Sequence, residues 1–351
     1  MANLKTIGPI INDHPLNDNF NAINDEVASL AGTGRTTETV KGNADAIAAH
    51  LADYVNPHKV AVKNILHNWD FRNPINQRGQ SSYSANGYTI DRWKLATTYG
   101  SNVLTVEDGF IKLTAGASTS TRSGCLIQIL EQDFLPYVGK TFTLSFNVSA
   151  YTGSWGSRIR FADGGTYLGQ AVADISETGI VSVTGTIPAT CDTIRVELQT
   201  VAISAGDYLS LLGAKFELGS KSTLSNDPPV DYGEQLALCQ RYYEKTFPLA
   251  IAPAQNVGDR AGAIIVNIGS ISYGYMCWEY KVRKRATPTI TTYNPFAANA
   301  NVFVWNEGVT TSESLTNSTV SETNYIVEIN RPTINSSRAL ALLHATADAE
   351  L

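Results

Sequence analysis

The sequence is short of charge, of paired cysteines and of long apolar runs, and each shortage removes a class of protein. Only 17% of its 351 residues are charged, 26 Lys and Arg against 32 Asp and Glu, a formal balance of −6. That is too little charge for a disordered polyelectrolyte, and its sign argues against DNA or RNA as a partner. The four cysteines, Cys125, Cys191, Cys239 and Cys277, are scattered with no Cys-x-x-Cys pair. Such spacing fits neither a zinc site nor a dense disulfide framework, so unpaired, buried thiols are expected. One long uncharged run, Ala261 to Trp278, is broken by Asn267, Ser270, Ser272 and glycines, and reads as buried strands with no membrane insertion. The residues up to Pro15 lack a continuous apolar stretch and an Ala-x-Ala cleavage site, which predicts synthesis in a cytoplasm.

Catalytic signatures are missing as well. There is no Gly-x-Ser-x-Gly, His-Glu-x-x-His or Walker sequence, and no nucleophile with an evident base. A glycan hydrolase would need two carboxylates about 5–10 Å apart over a sugar ring. Asp163, Asp207 and Glu217 are candidates, but solvated acids at strand ends are the commoner case. The expectation is therefore a protein that is not an enzyme and has no cofactor.

What is present is rhythm. Leu16, Phe20, Ile23, Val27 and Leu30 recur at spacings of four, three, four, three, a heptad seam; after Gly32-Thr33-Gly34 the seam returns as Val40, Ala44, Ile47, Leu51 and Tyr54. Helices of two heptads are marginal alone in water, so they need partners, either other copies of the chain or each other as a hairpin. Asn56-Pro57-His58 stops the second helix. Beyond it the period becomes two. Phe142, Leu144, Phe146 and Val148 alternate with polar residues, as do Ile194, Val196 and Leu198, Val181 and Val183, and Ala214, Phe216 and Leu218.

A polar stretch with a double proline, Ser220 to Pro229, reads as an extended linker. Asp231 to Glu234 then has capping-box spacing, and Leu236, Cys239, Tyr243 and Phe247 fall on one helical face. Alternation resumes at Trp278, Tyr280 and Val282, at Val302 and Val304, and at Tyr325, Val327 and Ile329. The expected fold is mainly β: a short N-terminal α-helical coiled-coil stalk in residues 1–62, a β-sandwich in 63–220, and a second β-sandwich with one short helix in 221–351.

Three blocks carry a family resemblance: Asn64 to Phe71 with Asn76-Gln77-Arg78-Gly79, then Tyr88 to Trp93, then Gln235 to Tyr243. Together they resemble tail fibre or receptor-binding proteins of bacteriophages and prophages. The run His50-Leu-Ala-Asp53-Tyr-Val-Asn56-Pro57-His58 resembles an element of phage fibre stalks, and Thr346 to Leu351 the usual end of such chains. The resemblance implies a jelly-roll module similar to carbohydrate-binding modules, followed by a distal β domain. It also implies a homotrimer in the virion, attached through its N-terminus to a tail or baseplate protein and presenting its other end to the host. The function it implies is non-catalytic attachment to a host surface glycan, with a glycan-cleaving tail enzyme or a purely structural fibre segment as the alternatives.

Sugar recognition needs aromatic rings to stack on pyranose faces and polar groups to bond hydroxyls. Trp155 lies between glycines, where exposure is expected, and with Tyr151 it forms the leading pair. Arg158 belongs to the same loop reading, and Asp163 and Tyr167 flank a turn at Gly164-Gly165. Trp305 and Asn306, with Tyr293, offer a similar tip in the distal unit, whereas Trp93 sits in an alternating stretch and is expected in the core. Packing between copies is the competing use of exposed rings. Lys281-Val-Arg283-Lys284-Arg285 reads as a solvated strand face or a contact for acidic glycan. As metal candidates, three copies of His50 or of His58 on a trimer axis would offer three imidazoles to zinc, iron or nickel; capping a helix end is the competing use.

Overall fold

The computed structural model describes residues 62–268, 273–306, 309–330 and 339–351. Both helical seams, His50 and His58 lie outside the described residues, as do Glu307 and Gly308 of the distal tip.

The alternating segments become strands, and their apolar halves meet. Sheet 1 has six strands in the order Ser82–Tyr83, Val103–Glu107, Phe110–Thr114, Tyr208–Leu218, Thr141–Tyr151, Gly179–Thr186. Sheet 2 also has six, in the order Gly87–Tyr88, Lys94–Leu95, Ser123–Ile129, Thr193–Ala202, Ser154–Asp163, Thr166–Ile175. Every pairing is antiparallel. Phe142, Leu144, Phe146 and Val148 of sheet 1 share one core with Ile194, Val196 and Leu198 of sheet 2. This is a β-sandwich, as the period-two pattern predicts.

Alternation does not say which polar faces stay wet. Lys215 and Glu217, on the far side of sheet 1, are fully buried beneath the stretch read as a linker. The Glu217 carboxylate accepts from the Thr223 N–H at 2.7 Å, and Lys215 Nζ donates to Thr223 Oγ1 at 2.9 Å and pairs with Asp227. Segment 220–229 is thus tied down across the sheet by buried charge that is paired and hydrogen-bonded.

The N-cap half of the capping box forms: Asp231 Oδ1 accepts from the Glu234 N–H at 2.9 Å and opens helix α1, Tyr232–Gln240. The helix is shorter than its apolar face suggests. Tyr243 lies in the strand Tyr243–Lys245, which pairs with Ala339–Asp348, and Phe247 stacks on His344 at 4.0 Å; pairing with a distant strand overrides the local helical period.

In the second module Ala339–Asp348 is the spine of sheet 3, pairing with Tyr243–Lys245, Ile264–Asn267, Thr289–Tyr293 and Val302–Asn306, the last extended by Val309–Glu313. Sheet 4 is Tyr273–Glu279, Asn324–Asn330 and Leu315–Val320. Val302, Val304, Ala341 and Leu343 of sheet 3 share a second core with Met276, Tyr325, Val327 and Ile329 of sheet 4. The basic run leaves its strand at Glu279, so it is not one solvated face. Lys284 turns inward, donating to the Gln240 carbonyl at 2.6 Å and pairing with Glu244 at 2.5 Å, and Arg285 donates to the Ala349 carbonyl at 3.2 Å. All four cysteines are unpaired; Cys125, Cys191 and Cys239 are buried, but Cys277 is exposed.

Residues Lys59–Leu351 form one compact unit, and the three resemblance blocks weld its two modules. Asn68 Nδ2 donates to the Ile75 and Asp91 carbonyls at 2.9 and 2.8 Å, and the Asn68 N–H donates to Gln235 Oε1 at 2.9 Å. Gln77 Nε2 bridges Asp91 Oδ2 at 2.7 Å and the Tyr243 carbonyl at 2.6 Å. Arg92 lies over the Tyr242 ring at 3.5 Å, donates to the Ile129 carbonyl at 2.7 Å and pairs with Glu350 at 2.6 Å. Burial pushes the Asp91 carboxyl up to about 7 against the pull of Arg78 and Gln77.

His67 sits beside this weld, its ring 5.6 Å from that of Tyr242, and its buried Nδ1 makes no hydrogen bond among the described residues. Desolvation first, then Arg92, lowers its pKa from 6.5 to about 4. Between those values the unfolded chain binds the proton and the folded chain does not. His67 therefore contributes stability that is present above about pH 6.5 and lost as pH falls toward 4. His67→Phe keeps a ring against Tyr242 and is expected to shrink the drop in melting temperature between pH 7 and pH 4.5; an undiminished drop would exclude His67 as its source.

Candidate functional site

The expected sugar-binding loop around Trp155 is not a loop. Gly153, at φ +74°, makes a tight turn from Thr141–Tyr151 of sheet 1 to the other sheet, and the chain at once enters the strand Ser154–Asp163 of sheet 2. Trp155 then falls opposite Thr200 and Ile175, on the inward face of sheet 2. It is 0% exposed, and its indole N–H donates to the Thr152 carbonyl at 2.7 Å. Tyr151 is half-buried against the same core. Neither ring is a free platform. Trp93 is buried as expected, donating its indole N–H to the Asn68 carbonyl at 2.9 Å.

The strand Ser154–Asp163, however, sends its alternate residues outward. Register places Arg158 across from Glu197 and Val172, Arg160 across from Arg195 and Gln170, and Gly156 across from Gln199 and Asp174. Side chains directly opposite in an antiparallel sheet share a face, so these nine residues line one face, with Glu197 and Gln199 buried in it and Gln170, Val172 and Asp174 exposed. Arg158 clamps the Glu197 carboxylate through Nε at 2.7 Å and through Nη2, and reaches Gln170 Oε1 at 3.3 Å. Arg122 pairs with Asp174 and approaches Gln199 Oε1 at 3.4 Å. Arg195 Nε lies 3.3 Å from Glu197 Oε1 without a hydrogen bond, and both atoms are buried with no hydrogen-bond partner among the described residues.

Two glycines keep this surface low. A Cβ at Gly124 would collide with the Glu197 carboxylate, and one at Gly156 would meet Arg122 Nη1 at 2.9 Å. At the edge of the sheet stands Tyr167, 51% exposed, with the Arg160 guanidinium 5.4 Å from its ring centroid. Asp163 pairs with Thr166 across the Gly164-Gly165 turn, at the end of the face. Arg122, Arg158, Arg160 and Arg195 outnumber the carboxylates Glu197 and Asp174, so the surface carries a positive surplus inside an acidic chain.

Of the expected residues, Arg158, Asp163 and Tyr167 therefore belong to sheet 2, while Tyr293, Trp305 and Asn306 belong to sheet 3. Tyr293 is half-buried, edge-on to Phe247 at 5.3 Å. Trp305 is 39% exposed, and Asn306 ends its strand. Neither Asp207 nor Glu217 faces a sugar-sized gap: Asp207 Oδ2 accepts from the Ser204 N–H at 2.7 Å in a turn, and Glu217 is buried on Thr223. The sequence reading missed Arg122, Gln170, Asp174, Glu197 and Gln199. Their signal was the polar half of Ile194-Arg-Val-Glu-Leu-Gln199, whose partner strand alternates arginines at 158 and 160.

No protein-family model matches the chain, and no curated protein matches it. Among solved structures, a CBM4 module is similar at 15% identity and a TM-score of 0.29, over 41% of this chain and 99% of that one. The C-terminal family 22 carbohydrate binding module of Clostridium thermocellum Xyn10B is similar at 12% identity and a TM-score of 0.28, over 45% and 95%. The enzymatically active domain of bacteriophage CBA120 tailspike protein 4 is similar at 15% identity and a TM-score of 0.28, over 44% of this chain and 21% of that one. The chemistry of the site is read from its own residues.

Proposed function

We propose that the chain is a tail fibre or receptor-binding component of a bacteriophage or prophage that holds a host surface glycan without cleaving it. The observation that carries the glycan reading is the outward face of sheet 2, where guanidinium, carboxamide and carboxylate groups lie in one low surface beside the exposed Tyr167 ring. Such groups bond hydroxyls, and the ring offers a stacking face. The arginine surplus favours glycans bearing carboxylate or phosphate, and binding to them weakens as salt rises. The fibre reading is supported by the weld: blocks of residues 64–93 and 235–243 that resemble phage fibres in sequence meet as one hydrogen-bonded contact.

In this reading the seams at 16–30 and 40–54 join three copies, the N-terminal region meets a tail or baseplate protein, and the chain is made in the host cytoplasm before joining the virion. Each sugar contact is weak, because hydroxyls are already satisfied in water and each hydrogen bond nets about 1 kcal/mol. Three sites on a repeating polysaccharide raise the effective concentration to the millimolar range. Light scattering of the full chain should give three times the monomer mass; a monomer at micromolar concentration contradicts the fibre reading. An array of bacterial lipopolysaccharides and capsular polysaccharides tests the function: retention without release of reducing sugar supports attachment. Release favours a depolymerase, and no retention on any glycan removes the reading.

A further inference from the structure

We propose that the cleft between the two β modules is a second saccharide site, separate from sheet 2 and suited to a neutral pyranose; the choice of sugar as ligand rests on the reading above. The cleft has a volume of about 430 Å³, in the range of small-ligand sites. Its walls include Arg78, Tyr83 and Tyr88 from the first module and Tyr243, Tyr293 and Asp348 from the second, so it exists only because the modules are welded.

The floor is built around one guanidinium. Arg78 lies 4.0 Å from the ring centroid of Tyr243 and 5.4 Å from that of Tyr88, which fixes its plane. Its Nη1 reaches Asp91 Oδ1 at 3.4 Å. Its Nη2 stands 3.5 Å from Asp348 and 3.7 Å from Glu350, yet is buried and makes no hydrogen bond among the described residues. Buried donors are nearly always satisfied, and an exception beside an open cleft marks where a ligand oxygen would sit.

Charge then selects the class of ligand. Three carboxylates, Asp91, Asp348 and Glu350, surround Arg78, so the cleft has no spare positive charge for an acid group. Asp348, with 43% of its side chain exposed, is an acceptor for hydroxyls. A polyhydroxylated ring with apolar C–H faces matches the rest: donors for Asp348, an oxygen for Arg78 Nη2, and tyrosine rings for the C–H surface. An anionic sugar would be repelled by Asp348.

The test is ligand-observed saturation-transfer NMR on the full chain with methyl glycosides of glucose, galactose, mannose and N-acetylglucosamine, and with glucuronate. Tyr293→Ala removes a wall, and Ser84→Trp plugs the exposed rim; melting curves identify any variant that does not fold, and Asn86→Ala, at the same exposed rim, serves as the milder substitution. Tyr167→Ala, on sheet 2, separates the two sites. The expected result is a neutral glycoside that binds wild type and Tyr167→Ala equally and binds Ser84→Trp and Tyr293→Ala at least tenfold more weakly. No neutral glycoside on wild type, or binding that survives Ser84→Trp, overturns the proposal. Binding lost in Tyr167→Ala but kept in Ser84→Trp also overturns it, while leaving the sheet 2 reading intact.

Discussion

Trp155→Ala is expected to cost about 3–5 kcal/mol of stability, because it empties a fully buried indole site between the sheets of the first module. The indole N–H bond to the Thr152 carbonyl, which ties the turn between the sheets to the core, goes with it. For a unit of this size the melting temperature should fall by roughly 10 °C or more. Trp93→Ala should behave alike, since that ring is also buried and hydrogen-bonded. Thermal melts of both variants check this. A Trp155→Ala protein that melted with wild type and had lost only glycan binding would place the indole back at the surface.

The second large effect concerns the weld. Arg92 and Glu350 are 1% and 2% exposed and pair at 2.6 Å. Arg92→Ala strands a buried carboxylate and removes the cation from the Tyr242 ring, a loss of about 3–5 kcal/mol. The effect should be local to the junction. Hydrogen exchange should accelerate in Ala339–Asp348, which ends two residues before Glu350, while Thr141–Tyr151 deep in the first sandwich keeps its protection. Equal acceleration in both strands, or none in either, would mean that the modules do not rely on this pair.

Alternation made most strands legible, because one apolar row buried against another is the main stabilising arrangement in a sandwich. It could not say which polar rows were covered. Lys215 and Glu217 look in sequence like Arg158 and Glu197, yet one pair lies under segment 220–229, while Glu197 is covered by the arginine side chains of its own face and Arg158 keeps a partly exposed edge. That difference depends on where a later stretch of chain comes to rest. Trp155 was misplaced for a more local reason: glycine before and after it reads as a loop, whereas Gly153 makes the tight turn between the sheets and Gly156 makes room for Arg122. The motif residues Arg78 and Arg92 were legible as a signature but not as a weld, since Glu350 lies 258 residues beyond Arg92. In the cleft, Tyr293 was named from its distal position alone; its neighbours Tyr88 and Arg78 come from the other module.

The measurement that bears most directly on the glycan reading is the affinity of the Arg160→Ala, Tyr167→Ala double variant for whichever polysaccharide retains the wild-type chain. Both side chains stand at the edge of sheet 2, Arg160 against the exposed Tyr167 ring, so removing them should leave the melting temperature unchanged. At least a tenfold loss of affinity with an unchanged melt is the predicted result. Wild-type affinity in a variant of wild-type stability would contradict it and remove sheet 2 as the glycan-binding face.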